Sequence, residues 1–156
     1  MSDITLNLLT WNSEETLVSC LESIAPVVDH IIVNDRFSTD STIEILERYH
    51  AEIYQREFSG SFSEERNFLI GKTKTKWIFI LDSDEIISRE IQENLRKHVA
   101  YLEKKGFISG RYPRKNYLDG ELFNVEIPGH HRLFLKEKGK VRGESPRTID
   151  LFWKIS

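Results

Sequence analysis

Trp77-Ile78-Phe79-Ile80-Leu81-Asp82-Ser83-Asp84-Glu85 makes the strongest statement about architecture in this chain. Five consecutive apolar residues, Trp77 to Leu81, run into three acids within four residues. A short, wholly apolar run rich in β-branched and aromatic residues reads as a strand covered on both faces, as in a parallel sheet. Ligands of open α/β sheets sit beyond the carboxyl ends of the strands, and here that end is acidic. Like charges this close repel. The cluster is therefore either a seat for a divalent cation, with carboxylate oxygens suited to Mg2+ or Mn2+, or an acidic turn after a core strand.

The chain on either side alternates between the two periodicities. Residues 4–11 read as a first strand. Asn12 with Glu15 has capping-box spacing, and Leu17, Leu21 and Ile24 form a helical face that stops before Pro26. Residues 30–35 read as a second strand, Ser41 with Glu44 repeats the capping spacing, and residues 51–57 read as a third strand. Ser61 with Glu64 caps a helix over 62–72 that leads into the central strand. Ser88 caps a longer helix in which Ile91, Leu95, Val99 and Leu102 share a face, ending at Lys104-Lys105-Gly106. Such alternation predicts βαβ units with right-handed crossovers. From Phe107 the texture changes. Asp119-Gly120 is a hairpin signal between strand-like runs at 107–117 and 121–126, with further strand-like pieces at 130–136 and 140–142. The expected fold class is α/β, a Rossmann-like, mostly parallel sheet flanked by helices with a small antiparallel C-terminal portion. One domain over 1–156 is expected, with a ligand-binding half over 1–105 and an antiparallel part over 106–156.

Hydrophobic residues at 39% and aromatics at 11% mark an ordinary globular chain. The single Cys20 forms no internal disulfide, which fits a reducing compartment. No run reaches the roughly 18 apolar residues of a membrane span, and Met1-Ser2-Asp3-Ile4 has no basic signal-peptide region. A cytoplasmic location is expected. The net charge of −3 is uneven, at −8 over residues 1–100 and +5 over 101–156. The acidic bulk argues against nucleic-acid binding, while the basic part either faces an anionic partner or is solvated surface.

Three loops place polar groups at strand carboxyl ends: Thr10-Trp11-Asn12, residues 35–40, and residues 82–85. Parallel topology brings them to one edge, where they could frame a nucleotide. Trp11 offers a ring face, Asp35 an acceptor for a base N–H, Asp82 an acceptor for ribose hydroxyls, and Asp84 a carboxylate for a metal bridging two phosphates. With these residues the chain resembles the family 2 glycosyltransferases of the GT-A fold. Leu8-Leu9-Thr10-Trp11-Asn12 is similar to the family's opening strand, and residues 30–40 to its second strand and loop. Glu65-Arg66-Asn67 is similar to its Ala-Arg-Asn segment, and Trp77 to Glu85 to the strand with its Asp-x-Asp motif. Arg132-Leu133-Phe134 matches a strand of the subgroup that builds lipopolysaccharide cores and related glycans.

The resemblance implies that Thr10, Trp11 and Asp35 hold the uracil of a UDP-sugar, with Asn12 in the same donor-binding set. Arg66 would lie near the ribose-phosphate, Asp82 on the ribose or sugar side, and Asp84 on Mn2+ or Mg2+, with His131 a third ligand or a diphosphate contact. Transfer to a glycan or lipid-linked acceptor would invert the anomeric centre, with Glu144 as base and Glu126 or Asp119 as alternatives. Arg36-Phe37 stands where the family usually has Asp-Gly or Thr-Gly, and the family's longer C-terminal part is expected to be missing or supplied by a homo-oligomer. Peripheral membrane contact also stays open. Each residue has a plainer reading: Trp11 as core, Arg66 paired with Glu65 or Asp84, Asp40 with Ser38 and Thr39 as a capping cluster, His131 as a surface histidine. Rival functions are a nucleotide-sugar-binding module without transfer, and a nucleotidyltransferase. The latter's glycine-rich phosphate loop is absent from Thr10-Trp11-Asn12-Ser13.

Overall fold

A computed structural model describes residues 2–118 and 121–142, with backbone alone at 118 and 123–128. The elements are β1 (Ile4–Thr10), α1 (Glu14–Ile24), β2 (His30–Asp35), α2 (Thr42–Arg48), β3 (Glu52–Gln55), α3 (Phe62–Lys72), β4 (Trp77–Asp82), α4 (Arg89–Lys105), β5 (Ser109–Leu118) and β6 (Glu121–Leu135). Short 3-10 turns occupy Ala25–Val27 and Lys136–Lys138. Among the described residues the strands form one sheet in the order β3-β2-β1-β4-β6-β5. β1 to β4 are mutually parallel, and β6 runs antiparallel to β4 and β5. No helix among the described residues is long and apolar enough to cross a membrane.

The period of two along β1 and β4 sorts the core. Ile4, Leu6, Leu8, Trp77, Phe79 and Leu81 pack with Leu17, Cys20, Leu21, Ile45, Leu46, Leu95 and Val99 of α1, α2 and α4. The alternate residues Ile78 and Ile80 meet Ile70 of α3, Phe134 and Val141 on the opposite face. Beneath α3 the sheet is polar. Thr73 donates to Asn7 at 3.1 Å and Asn34 to Glu65 at 2.5 Å, with all four residues buried.

Several local expectations changed. The strand-like pieces at 121–126 and 130–136 are one strand, β6, because β5 lies alongside throughout. Residues 140–142 form no strand. Instead the Asn67 amide grips the backbone of Val141, accepting from its N–H and donating to its carbonyl, both at 2.8 Å. Ser61 and Ser88 cap α3 and α4 as their spacing predicts. The boxes at Asn12 and Ser41 do not form. Ser13 and Ser41 are the N-cap residues of α1 and α2, and neither makes a side-chain cap. Each helix start is served from the other: Asp40 accepts from Glu14 N–H at 3.1 Å, and Glu14 accepts from Ser41 N–H at 2.9 Å. This exchange fastens the exits of β1 and β2 together.

α2 and α4 end alike. Gly106 donates to the Glu103 carbonyl and Phe107 to that of Leu102, with Gly106 at φ 71°. After α2, His50 donates to Glu47 and Ala51 to Leu46, with His50 at φ 55°. A left-handed non-glycine residue costs roughly 1–2 kcal/mol. Part of that is returned when glycine enlarges the unfolded ensemble. His50 is exposed, so His50→Gly is expected to stabilise the fold by about 0.5–1 kcal/mol, read as a raised midpoint in urea unfolding.

At the opposite end of the sheet, Glu103 accepts from Lys76 at 2.6 Å, Ser2 at 2.6 Å and the buried Trp77 indole at 3.1 Å. These bonds, that from Lys76 first, hold its carboxyl down at about 2 from an ordinary 4.5. The folded state thus favours the charged form. The resulting stability is complete above about pH 4.5 and is lost as pH falls toward 2. Glu103→Gln is expected to flatten the acid limb of a stability–pH profile in that window and lower the plateau above it.

Candidate functional site

The register sets three strand ends side by side. Asp35 pairs with Thr10 on one side and Gln55 on the other, and Asp82 pairs with Leu9. Their exit loops are tied together. Asn12 donates its N–H to Ser38 Oγ at 2.8 Å and accepts from Thr39 N–H at 2.8 Å, and Ser13 Oγ lies 3.0 Å from Ser83 Oγ. Asn12 takes φ 45° to make this junction, a conformation asparagine tolerates better than most residues.

Asp35 is fully buried and its acceptor positions are occupied. Oδ1 accepts from Thr10 Oγ1 at 2.8 Å and Ser38 Oγ at 2.5 Å, and Oδ2 from Ser38 N–H at 2.8 Å and Gln55 Nε2 at 3.4 Å. A carboxylate offers about four such positions. Thr10, Asn12 and Asp35 therefore organise the loop, and a base N–H reaches Asp35 only by displacing Gln55, its longest bond. Trp11 is not core. It is 58% exposed at the sheet edge, with the Arg36 guanidinium 4.8 Å from its ring centroid.

The acidic cluster resolves into unequal members. Asp82 forms an ion pair with Arg66, whose side chain is 4% exposed. This settles Arg66's partner as Asp82 and neither Glu65 nor Asp84. Burial lowers the Arg66 guanidinium from its ordinary value and Asp82 opposes the shift. Arg66 Nε has no partner among the described residues. Glu85 accepts from Arg132 at 2.6 Å and from the Asp82 N–H at 2.9 Å, with Arg114 at 3.6 Å. Arginines thus relieve most of the repulsion that the sequence alone assigned to a cation. Asp84 is exposed and makes no hydrogen bond or ion pair to any described residue. Behind the turn, burial and the three acids push the Cys20 thiol up to about 12, so it stays protonated beside the Asp82 carbonyl.

β5 and β6 continue past the carboxyl end of β4, since only Leu133 to Leu135 of β6 pair with it. Gly110 pairs with Leu133 but Arg111 with His131, so Arg132 is an extra residue in the ladder. A bulge of this kind re-aims a side chain, here onto Glu85. His131 does not behave as a ligand. Its Nδ1 lies 2.8 Å from Ser109 Oγ and its Nε2 accepts from Arg111 at 2.8 Å. Burial and the Arg111 charge lower its pKa, favouring the neutral ring, but neither nitrogen is left for an ion. Among the described residues no three of His, Cys, Asp and Glu could hold a metal. Any ion at Asp84 would take further ligands from a bound substrate, a habit of Mg2+ at phosphate sites, and an exposed hard oxygen donor fits Mn2+ or Mg2+ in that setting. Glu144 and Asp119 lie outside the described residues, as does the side chain of Glu126.

Sequence reasoning assigned no role to Arg132, Arg114 or Arg36. Arg132 stood in a noted motif, but its acceptor lies 47 residues away and no local pattern marks that pairing.

The family model of glycosyl transferase family 2 matches residues 8–150. The chain belongs to that family. Over 102 residues it is 30% identical to the SPbeta prophage-derived glycosyltransferase SunS of Bacillus subtilis (strain 168), covering 64% of this chain and 24% of the relative. Two solved structures share its fold, that of the GT-A glycosyltransferases. S. aureus TarS 1-349 superposes with TM-score 0.57 at 25% identity, over 65% of this chain and 32% of TarS. M. tuberculosis glucosyl-3-phosphoglycerate synthase gives 0.50 at 25% identity, over 58% and 37%. The family 2 chain described here spans a quarter to a third of the length of the curated relatives it matches.

Proposed function

We propose that this chain is the donor-binding part of an inverting glycosyltransferase that takes a nucleotide-diphosphate sugar, UDP-sugar by family resemblance, and transfers the sugar to a hydroxyl of a glycan or lipid-linked acceptor. One observation carries the reading: at the edge where β1, β2 and β4 end, Asp84 is the acid left exposed and unpartnered, while Asp82 and Glu85 are held by arginines. Asp84, with Asp82 beside it, would hold Mn2+ or Mg2+, which when bound supplies positive charge against a departing diphosphate. Arg66 and Arg132 fix the acids, and Trp11 offers the base a ring face.

In the transfer, the acceptor oxygen forms a bond to the anomeric carbon while the bond from that carbon to the diphosphate breaks on the opposite side. The hydroxyl proton passes to a carboxylate, assigned to Glu144, and the nucleoside diphosphate leaves. A cytoplasmic setting belongs to the same proposal and rests on the buried, unpaired Cys20.

Calorimetric titration with UDP, GDP and CDP, each with Mn2+ and with EDTA, tests it. Binding of a nucleotide only in the presence of metal is the expected result. Binding without turnover of any nucleotide sugar would reduce the chain to a nucleotide-sugar-binding module, and no binding at all would overturn the reading.

A further inference from the structure

Arg36 differs from the other arginines around the carboxyl edge. Arg56 approaches Glu65, Arg66 pairs with Asp82, and Arg114 and Arg132 approach Glu85. Arg36 has no carboxylate or carbonyl on its guanidinium among the described residues. It lies instead between two rings, 4.8 Å from the Trp11 centroid and 5.1 Å from that of Phe58. Phe58 is itself braced by Phe62, with centroids 5.0 Å apart. The backbone beneath is fixed as well: Arg36 N–H donates to the Thr10 carbonyl at 2.9 Å, and the next residue, Phe37, takes φ 47°. Two aromatic faces therefore orient a guanidinium whose N–H edge remains unused, beside an exposed tryptophan.

The polar groups around it are spent. Asp35 is saturated, and Asn12, Ser38 and Thr39 bond to one another or to Asp35. The recognition chemistry left at this end of the edge is a set of donors. A base stacked near Trp11 can satisfy donors with a ring carbonyl and cannot do so with an exocyclic amine. Guanine O6 and the 4-oxo group of a thymine-like ring are acceptors, whereas cytosine N4 and adenine N6 are donors.

Building on the donor-site reading above, we propose that Arg36, oriented by Trp11 and Phe58, selects the donor nucleotide by its base. It accepts the oxo bases uracil and guanine and rejects the amino bases cytosine and adenine. An unpaired buried or half-buried donor is costly, so a mismatched edge is penalised and not merely unrewarded.

The test is titration of UDP, GDP, CDP and ADP, with Mn2+ throughout, against the wild type, Arg36→Ala and Arg36→Lys. The wild type is expected to bind UDP or GDP at least about tenfold more tightly than CDP and ADP, a separation typical of one well-placed polar contact. Arg36→Ala is expected to shrink that ratio to about threefold or less while still binding the diphosphates, since Arg36 is exposed and its removal spares the fold. Arg36→Lys keeps the charge but loses the planar fork and its stacking, so the ratio is expected to fall there too. An unchanged ratio in Arg36→Ala would overturn Arg36's role and leave the nucleotide site standing. Equal wild-type affinity for all four would overturn base selection. Failure to bind any of them would overturn the donor-site reading along with it.

Discussion

Asp84→Ala is expected to abolish cation-dependent nucleotide binding and to lower sugar transfer by about 10²–10³-fold, the usual consequence of removing one element of charge stabilisation at a leaving group. The fold should survive, because Asp84 is exposed and holds no described partner, and surface replacements away from special features stay within about 0.5 kcal/mol. This separates Asp84 from Asp82. Asp82→Ala would strip the ion pair from Arg66, whose side chain is 4% exposed, so a loss of activity there would be mixed with a loss of stability. The deciding measurement is a pair on Asp84→Ala, a thermal melt and a titration of the nucleotide with and without Mn2+. An unchanged melt with metal dependence gone places the cation at Asp84. Retained metal dependence would remove Asp84 from the site.

Glu85→Ala is expected to be the most destabilising single change at the edge. Glu85 accepts from Arg132 at 2.6 Å and from the Asp82 N–H at 2.9 Å, and stands 3.6 Å from Arg114. Its side chain is 14% exposed and that of Arg132 11%. Removing one partner of a buried pair leaves the other charge uncompensated, at about 3–5 kcal/mol. For a chain of this size that is a fall in Tm of about 10 °C. The change also frees the turn that carries Asp84, so nucleotide affinity should fall with stability. Asp84→Ala would lose affinity alone. Chemical denaturation of the two variants side by side checks the contrast. A melt of Glu85→Ala within a degree of the wild type would mean that the Arg132 pair does not hold the turn.

How much of this could be seen beforehand differs between fold and site. α3 and β4 fall where their sequence patterns put them, because an apolar run such as Trp77 to Leu81 has few alternatives to a doubly covered strand. The α1 and α2 starts were misjudged for a reason that local spacing cannot show. Asp40 and Glu14 lie closer to each other's helix than the residues at capping-box spacing do to their own, and the nearer acceptor takes the orphan N–H groups. Arg132 escaped because a bulge redirects it, and a bulge leaves no mark in a period of two. His131 looked like a ligand only while Ser109 and Arg111 were not known to flank it.

By itself the sequence determined the strands, their order of appearance and the acids and rings at their carboxyl ends. Apolar periodicity and handed crossovers leave little freedom about which ends share an edge. The tertiary structure alone decided which of those groups are spent and which are free: Asp35 saturated and Asp84 exposed, Arg66 on Asp82 and Arg132 on Glu85, Arg36 between two rings. These pairings join residues 16 and 47 positions apart. A hydrogen bond or ion pair falls off within a few ångströms, so partner choice depends on distances that exist only once the sheet has formed.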